Sequence, residues 1–518
     1  MKNLINCFDK LNLTHEQSAC VEMINSFLNE ESLSNIFILK GYAGTGKTTL
    51  VGGLINYLNI NSRSFLALAP TGRAARVFST KSNFEAKTLH SSIYQSSSTS
   101  LDLEKSEYSK KYCLKINAPS NGTIIVVDEA SMLNDIESDN GSTIFGSGKL
   151  LTDLISFANF KSNPKTKIIF VGDTAQLPPI GNYSSPALDD KYFQTVFNLD
   201  TKICELTKVV RHDNGILEAA TAIRESIQSN QLNGIMPKHN NEVSIIPNFS
   251  LLDAYVGNVK ALDDLDKNIM IAGTNKQVFK LNMKVRDHFF NNQYADIHTG
   301  EKLIVVDNNY LQETSLMNGE FLKVVEIYGQ EVIPVRVNTD GKEKLAEEEG
   351  HKRVDVNKIE VNLTFRDILV ESTDGNRLKV KILESFLFKP EAGISKFVSR
   401  ALFLMVFGKL KKRCPDLKGK EFNDKLAMEL ENDPYFNVLR VKFGYAITCH
   451  KAQGGEWENV FVNIWAKDVN TISHFRWVYT AITRASNHLY VESLEQHQPN
   501  SLRQRFLSDS WGQPTLLN

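Results

Sequence analysis

Net charge is nearly absent from these 518 residues: 59 Lys and Arg face 60 Asp and Glu, a formal charge of −1. Without a global basic field, any nucleic-acid surface must be a local groove. Paired cysteines are missing as well. Cys7, Cys20, Cys113, Cys204, Cys414 and Cys449 are scattered without C-x-x-C spacing, which argues against a zinc site or a disulfide framework and fits a reducing compartment. Long apolar runs are also lacking. The longest, Ala401 to Gly408, is far too short to cross a bilayer, and Met1-Lys2-Asn3-Leu4-Ile5-Asn6 does not have the apolar core of a signal peptide. No solenoid-type repeat is visible. What remains is the composition of an ordinary soluble globular chain. Its length suggests several domains, and a cytoplasmic location is expected.

One stretch organises the rest. Gly41-Tyr42-Ala43-Gly44-Thr45-Gly46-Lys47-Thr48 fits G-x-x-x-x-G-K-[ST], a pattern that cradles polyphosphate. The apolar run Ile36-Phe37-Ile38-Leu39 before it reads as a strand, and Leu50, Leu54 and Leu58 recur at helical spacing after it. Strand, glycine turn and helix N-terminus form the context the motif needs. Glycines let backbone N–H groups close around phosphate, and the helix dipole favours the charge. Lys47 is expected to reach the β- and γ-phosphates, and the Thr48 hydroxyl to ligate Mg²⁺. A second buried-strand pattern, Ile124-Ile125-Val126-Val127, ends in Asp128-Glu129. At the C-terminal end of a parallel strand, Asp128 would hold Mg²⁺ through water, and Glu129 would orient or deprotonate an attacking water. The run Ile168-Ile169-Phe170-Val171 leads into Gly172-Asp173-Thr174-Ala175-Gln176. There Asp173 and Gln176 either sense a γ-phosphate or cap a turn.

Other segments leave two readings open. Gln17, in a helix that Thr14 can cap, either offers its amide to an adenine edge or is a surface residue. Arg211, after Leu206-Thr207-Lys208-Val209-Val210, is either a phosphate contact or a surface arginine. The polar stretch Ser91 to Asn121 reads as a disordered loop or a small inserted hairpin. From about Glu301 to Phe365 the pattern is all-β, with strands expected at Leu303–Val306, Phe321–Tyr328, Val332–Val337 and Lys358–Phe365. Pro390 to Asp433 reads as helical and carries Lys409, Lys411, Lys412, Arg413, Lys418 and Lys420, either a solvated face or a nucleic-acid contact. Thr274-Asn275-Lys276 approaches a GTPase base-reading Asn-Lys-x-Asp, but the fourth position is Val278 and the match fails. Strand patterns return at Gly444–Thr448, Val460–Ile464 and His488–Val491.

Taken in order, Gln17, GYAGTGKTT, APTGRAAR, TLH, DEAS, GDTAQLPP, LTKVVR, CHKAQGGEWENV and VYTAITRA resemble the superfamily 1B helicases, the RecD-like and Dda group in particular, over about residues 10 to 495. The resemblance implies an α/β fold of two RecA-like P-loop domains with ATP between them, a pin-like hairpin insertion and an SH3-like β-barrel insertion. It implies a first domain over 1–210 with the pin at 91–121, and a second over 211–300 and 441–495. An inserted SH3-like domain with a helical extension would occupy 301–440, and a tail 496–518. The ATP site would be Gln17 (at adenine), Gly41, Ala43, Gly44, Thr45, Gly46, Lys47, Thr48, Thr49, Gln453 and Gly454, with Mg²⁺ on Thr48 and Asp128. Asp128 and Glu129 would be the hydrolytic pair and Gln176 the sensor, while Lys47, Arg211 and Arg484 would neutralise transition-state charge. Thr71, Thr88, His90, Thr448, His450 and Lys451 fall where such helicases touch the tracking strand. Tyr94, Tyr108 and Tyr112 either supply a strand-separating wedge or pack the base of the hairpin.

The activity so implied is ATP-driven translocation 5′ to 3′ on single-stranded DNA with unwinding of duplex. The alternatives are an RNA helicase, or an ATP-gated single-strand-binding module that does not unwind. The implied partners are single-stranded DNA and single-strand/duplex junctions, with single-strand-binding, recombination or replication proteins beyond them. A monomer with no membrane contact is expected.

Overall fold

The computed structural model describes residues 4–9, 12–29, 34–116, 119–137, 143–210, 215–232, 237–291, 296–309, 316–342, 345, 349–355, 357–464 and 469–492. The expected tail at 496–518 lies outside them. Two parallel sheets carry the motifs. The first runs in the order Lys87–Thr88, Phe65–Ala69, Ile124–Val127, Lys167–Gly172, Ile36–Gly41, Thr201–Leu206. Its central strands are buried on both faces between helices, so they read as unbroken apolar runs rather than alternations. The P-loop strand Ile36–Gly41 lies next to Lys167–Gly172, so the P-loop and Asp173 leave neighbouring strand ends.

The second sheet runs in the order Val243–Ile246, Ala485–Glu492, Trp457–Val462, Asn268–Ala272, Ala446–Thr448, again parallel. Its apolar core takes in Tyr42, Ala175 and Leu177 from the first sheet's loops. The two sheets thus share buried surface at the edge where the motifs emerge.

Between the halves of the second sheet the chain builds an antiparallel sheet: Lys352–Asp355, Lys358–Ser372, Phe321–Asn338, Lys302–Val305, Val441–Phe443, with Arg377–Leu383 on the flank of Lys358–Ser372. Two expectations are corrected here. The strands expected at Phe321–Tyr328 and Val332–Val337 are one strand, Phe321–Asn338, whose register shifts between Val324 and Glu326 and between Ile327 and Gln330. Bulges bend the strand where a turn was expected, and so one strand can follow a curved sheet. Val441–Phe443, assigned above to the second domain, pairs with Lys302–Val305 of the insertion.

The stretch from Ser91 onward is a hairpin, Tyr94–Asp102 against Glu107–Leu114, with Thr143–Phe145 as a third strand. It leans on helices Lys396–Arg413 and Gly419–Asn432. Leu101 and Tyr108 pack against the apolar core these helices share with the inserted sheet, and Lys110 pairs with Glu431. No helix among the described residues is long and apolar enough to cross a membrane.

A buried ion pair joins the second sheet to the insertion. Arg286, on helix Asn275–Phe290, donates to both Glu301 carboxylate oxygens at 2.8–3.1 Å, and both side chains are fully buried. The guanidinium also lies 4.2 Å from the Phe443 ring centroid. Removing one partner strands a buried charge, whereas replacing both by apolar groups does not. Glu301→Ala is therefore expected to lower the unfolding free energy by about 3–5 kcal/mol in urea titration, and Arg286→Met with Glu301→Leu by much less.

Candidate nucleotide site and nucleic-acid interface

The P-loop is shaped by its own short bonds. Thr45 is buried and its hydroxyl donates to Tyr42 O at 2.9 Å. The Lys47 ammonium donates to Gly41 O at 2.7 Å and Tyr42 O at 2.9 Å. Gly46 needs to be glycine: its φ is +84°, and a Cβ there would stand 2.5 Å from Gln17 Nε2. Gln17 is buried, not on the surface. Its Nε2 donates to Thr45 O at 3.0 Å while its Oε1 accepts from Thr14 N–H at 2.9 Å, completing a capping box. The amide expected at adenine thus also braces the P-loop from behind. Thr48 is half-buried at the start of the P-loop helix and Thr49 is exposed.

Asp128 and Glu129 follow strand Ile124–Val127. Burial first, then the neighbouring Glu129, pushes Asp128 up to about 6, with the Glu129 N–H and Lys47 pulling the other way. Glu129 holds a left-handed backbone, φ 50°, a strain common where geometry matters more than stability. The two adjacent carboxylates offer oxygen donors of the kind a hard divalent cation takes, as does the Thr48 hydroxyl at the start of the P-loop helix. Gln176 is buried, and its Oε1 has no hydrogen-bond partner among the described residues, as suits a group that waits for a ligand or a water.

The second sheet supplies the opposite wall. Tyr479, on helix Ile472–Ile482, is fully buried; its hydroxyl donates to Asp173 Oδ2 at 2.8 Å and accepts from Ala43 N–H at 2.9 Å. Burial and Asp173 raise the phenol far above its usual range, so it stays a donor. Thr480 Oγ1 accepts from Leu177 N–H at 2.9 Å, and Gln453 Nε2 donates to Leu177 O at 2.9 Å. Gly454 closes against Ala74, where a Cβ would come within 2.9 Å. Arg484 is buried and donates to Thr480 O at 3.0 Å, Gly455 O at 3.2 Å and Thr483 Oγ1 at 3.2 Å, all uncharged oxygens. Arg211 lies outside the described residues. Its neighbour Val210 donates its N–H to Gly44 O at 2.9 Å, and the approach to it is anchored by Glu16, which accepts from Thr207 and Lys208 N–H at 2.8 Å each.

The residues expected on the tracking strand divide. Thr71, Thr88 and Thr448 each cap a helix, accepting from Ala74, Ser91 and Lys451 N–H at 3.2, 3.2 and 3.4 Å. The Thr88 hydroxyl gives its only proton to Ser91 Oγ and the residue is buried, so this geometry assigns it to the cap. His90 packs edge-on to Phe145 at 4.8 Å, and burial lowers its pKa. Burial likewise lowers His450 and Lys451, the latter partly offset by Asp307. The wedge reading of the tyrosines is corrected by their packing. Tyr94 is buried and donates to Asp153 at 2.6 Å, Tyr112 stacks on Phe145 at 4.7 Å, and Tyr108 meets Phe436 edge-on at 5.6 Å. The apex carries Leu103 instead, 41% exposed. In the basic cluster, Lys409 and Lys411 lie over the rings of Tyr435 and Phe407, and Arg413 pairs with Glu429.

Two family models match, an AAA domain over residues 12–236 and a UvrD-like helicase C-terminal domain over residues 443–491, one on each wall of this cleft. The ATP-dependent DNA helicase dda of Enterobacteria phage T4 is 27% identical over 306 residues, 56% of this chain and 62% of that protein. The RecBCD enzyme subunit RecD of Buchnera aphidicola is 23% identical over 534 residues, 93% of this chain and 76% of that one. The chain resembles these helicases in sequence. Its match spans under two thirds of the phage protein's length. Among solved structures, Pif1 helicase from Bacteroides in complex with ADP-AlF3 and ssDNA aligns over 96% of this chain and 98% of that one, at 15% identity and a TM-score of 0.46.

The local sequence pattern does not single out Tyr479, Thr480 and Arg73. Tyr479 and Thr480 lie inside the quoted VYTAITRA, but on a helix a tyrosine among apolar residues looks like core. Arg73, in APTGRAAR, stacks on Trp457 at 3.9 Å and lies 5.0 Å from the Phe321 ring. Burial, with Arg484 nearby, pulls it down to about 9. It thereby ties the first sheet to the second and to the insertion. Tyr479→Phe leaves buried Asp173 Oδ2 and Ala43 N–H without their partner. The expected loss is about 1–3 kcal/mol, read by thermal or urea unfolding of the nucleotide-free protein.

Proposed function

We propose that this chain is an ATP-dependent DNA helicase that travels 5′ to 3′ on single-stranded DNA and unwinds duplex, working as a cytoplasmic monomer. The observation that carries the reading is the cleft. P-loop, carboxylate pair and Gln176 stand on one wall, Gln453, Tyr479 and Arg484 on the other, with hydrogen bonds crossing between them. DNA and the polarity come from the likeness to Dda and RecD; the cytoplasmic setting is supported by six free cysteines.

In this mechanism Lys47 exchanges the carbonyls of Gly41 and Tyr42 for phosphate oxygens. Thr48 and Asp128 would hold Mg²⁺, which when bound neutralises charge on the phosphate oxygens. Glu129 orients or deprotonates the attacking water, and Gln176, with its unsatisfied carbonyl oxygen, holds that water in line. Arg484 brings charge from the other wall to the transition state, as an arginine finger does, and Arg211 is proposed to join it. ATP between the walls draws them together and hydrolysis releases them, so two grips on the strand alternate. The hairpin, buttressed by the helices behind it, is proposed as the strand separator, with Leu103 at its apex in place of the tyrosines.

The test is steady-state ATP hydrolysis with no polymer, single-stranded DNA, duplex DNA and single-stranded RNA. Stimulation by single-stranded DNA alone is expected; stimulation by RNA would make this an RNA helicase, and indifference to every polymer would refute the motor. Lys47→Ala is expected to abolish turnover with the fold intact. Arg484→Ala should cost about 10³-fold or more in turnover while ATP binding changes little. Unwinding of 5′-tailed but not 3′-tailed duplex is expected, and the reverse preference would overturn the polarity.

A further inference from the structure

The second position of G-x-x-x-x-G-K-[ST] is free as far as phosphate is concerned, because the glycines, the lysine and the hydroxyl supply the contacts. Here it is Tyr42, and its side chain is buried. The hydroxyl donates to Glu205 Oε1 at 2.8 Å and accepts from Gln228 Nε2. The Arg224 guanidinium lies 3.9 Å from the ring centroid. Glu205 stands on strand Thr201–Leu206, opposite Lys40 of the P-loop strand. Arg224 and Gln228 are one turn apart on helix Gly215–Ser229, whose Ile216, Ala220 and Ile223 pack in the second sheet's core. The side chain of a P-loop residue is thus pinned at its tip to the first wall and gripped at its tip and face by the second.

The backbone of the same residue is the hub of the P-loop. The Tyr42 carbonyl accepts from the Lys47 ammonium at 2.9 Å, the Thr45 hydroxyl at 2.9 Å and the Thr45 N–H at 3.3 Å. The grip therefore meets the loop at a residue that holds Lys47. Burial, then the Glu205 hydrogen bond, raises the phenol above its usual range, against the pull of Arg224, so the hydroxyl keeps its proton and donates. Arg224 Nε has no hydrogen-bond partner among the described residues, and the ring face is the partner the guanidinium has stacked on. Arg224 and Gln228 sit on the second wall, so both contacts are lost when the walls part.

We propose that Tyr42, Arg224 and Gln228 form a latch that favours the closed cleft, which makes Arg224 a positioning residue for ATP hydrolysis. The inference rests on the functional reading above and adds a residue to it. Arg224 acts by holding the wall that carries Arg484 against the loop that carries Lys47. Tyr479 holds the neighbouring Ala43 N–H deep in the seam. Arg224 grips the loop one residue earlier, at an edge where Glu205 and Gln228 are exposed. The closed fraction governs both capture of ATP and its turnover, so kcat/KM follows the strength of the latch.

The test uses the full chain with saturating single-stranded DNA and reads kcat/KM for ATP, with urea unfolding of each variant alongside. Arg224→Met is expected to lower kcat/KM about threefold, the share of a partly exposed cation–π contact. Tyr42→Leu, which loses the hydroxyl bonds as well, should lower it about tenfold. Arg224→Lys keeps a cation over the ring and should stay close to wild type. Adding Arg224→Met to Tyr42→Leu should cost nothing further, because the contact is already gone. A purely structural arginine would shift the urea midpoint and leave kcat/KM of the folded protein alone. Wild-type kcat/KM in Arg224→Met, or an equal further loss when it is added to Tyr42→Leu, would overturn the inference alone. Failure of the wild-type chain to hydrolyse ATP with any polymer would overturn the functional reading and this inference with it.

Discussion

One phenol hydroxyl holds the two sheets in register. Tyr479 takes a P-loop N–H and gives its proton to Asp173, so a single side chain of the second sheet reads two loops of the first. A hydroxyl can do this because it donates and accepts at once. Around it, Thr480 and Gln453 hold both polar atoms of the Leu177 peptide. These bonds lie in a shared apolar core, where an unmade hydrogen bond is expensive. The seam therefore has well-defined closed geometry, and the chemical groups of both walls are held by it. Because its partners sit on the P-loop and beside Gln176, whatever enters the phosphate site acts directly on the seam.

The insertion is fastened with comparable care. Arg286 and Glu301 anchor it to the second sheet through a buried, multiply bonded pair. From the first sheet, helix Gly72–Ser82 reaches it twice: Arg73 stacks between Trp457 and Phe321, and Arg76 pairs with Glu320 at 2.6 Å. The contrast between these contacts is informative. The Arg286 pair is sealed, so its loss would leave a bare charge in the core. The Arg76 pair is partly open to solvent, and such pairs contribute little and exchange readily. The insertion is thus held to both parallel sheets, by the Arg286 pair and the Arg73 stack in the core and by the Arg76 pair at its edge.

Charge is arranged by the same economy. The protein is almost neutral overall, yet lysines gather at a cavity between the second sheet and the insertion. Several residues of the basic run at 409–420 are turned instead onto aromatic rings and acidic partners of the helical extension. There they stiffen the support behind the hairpin. A run of like charges in sequence and a cluster of like charges in space are different objects, and here the second did not come from the first.

Much of the site was legible in the residues. The P-loop, the Asp128–Glu129 pair and the Gly172–Gln176 turn are local patterns: each needs a strand end followed by a few specified residues, and nearest-neighbour sterics are enough to write them. Parallel, doubly buried strands announced themselves as unbroken apolar runs. The tertiary structure alone decided what crosses between segments far apart in the chain. Gln17 reads as either an adenine contact or a surface residue, and the structure adds a third use, a brace on the P-loop. The hairpin tyrosines read as either a wedge or packing for the hairpin, and Asp153, Phe145 and Phe436 give them packing partners. The expected break near Tyr328 vanishes because a bulge, dictated by the partner strand, absorbs it. Tyr479 carries no local signal, because its partners lie hundreds of residues away. Local sequence determines the conformation a segment can take; only long-range packing determines which buried polar groups will meet, and those meetings build this cleft.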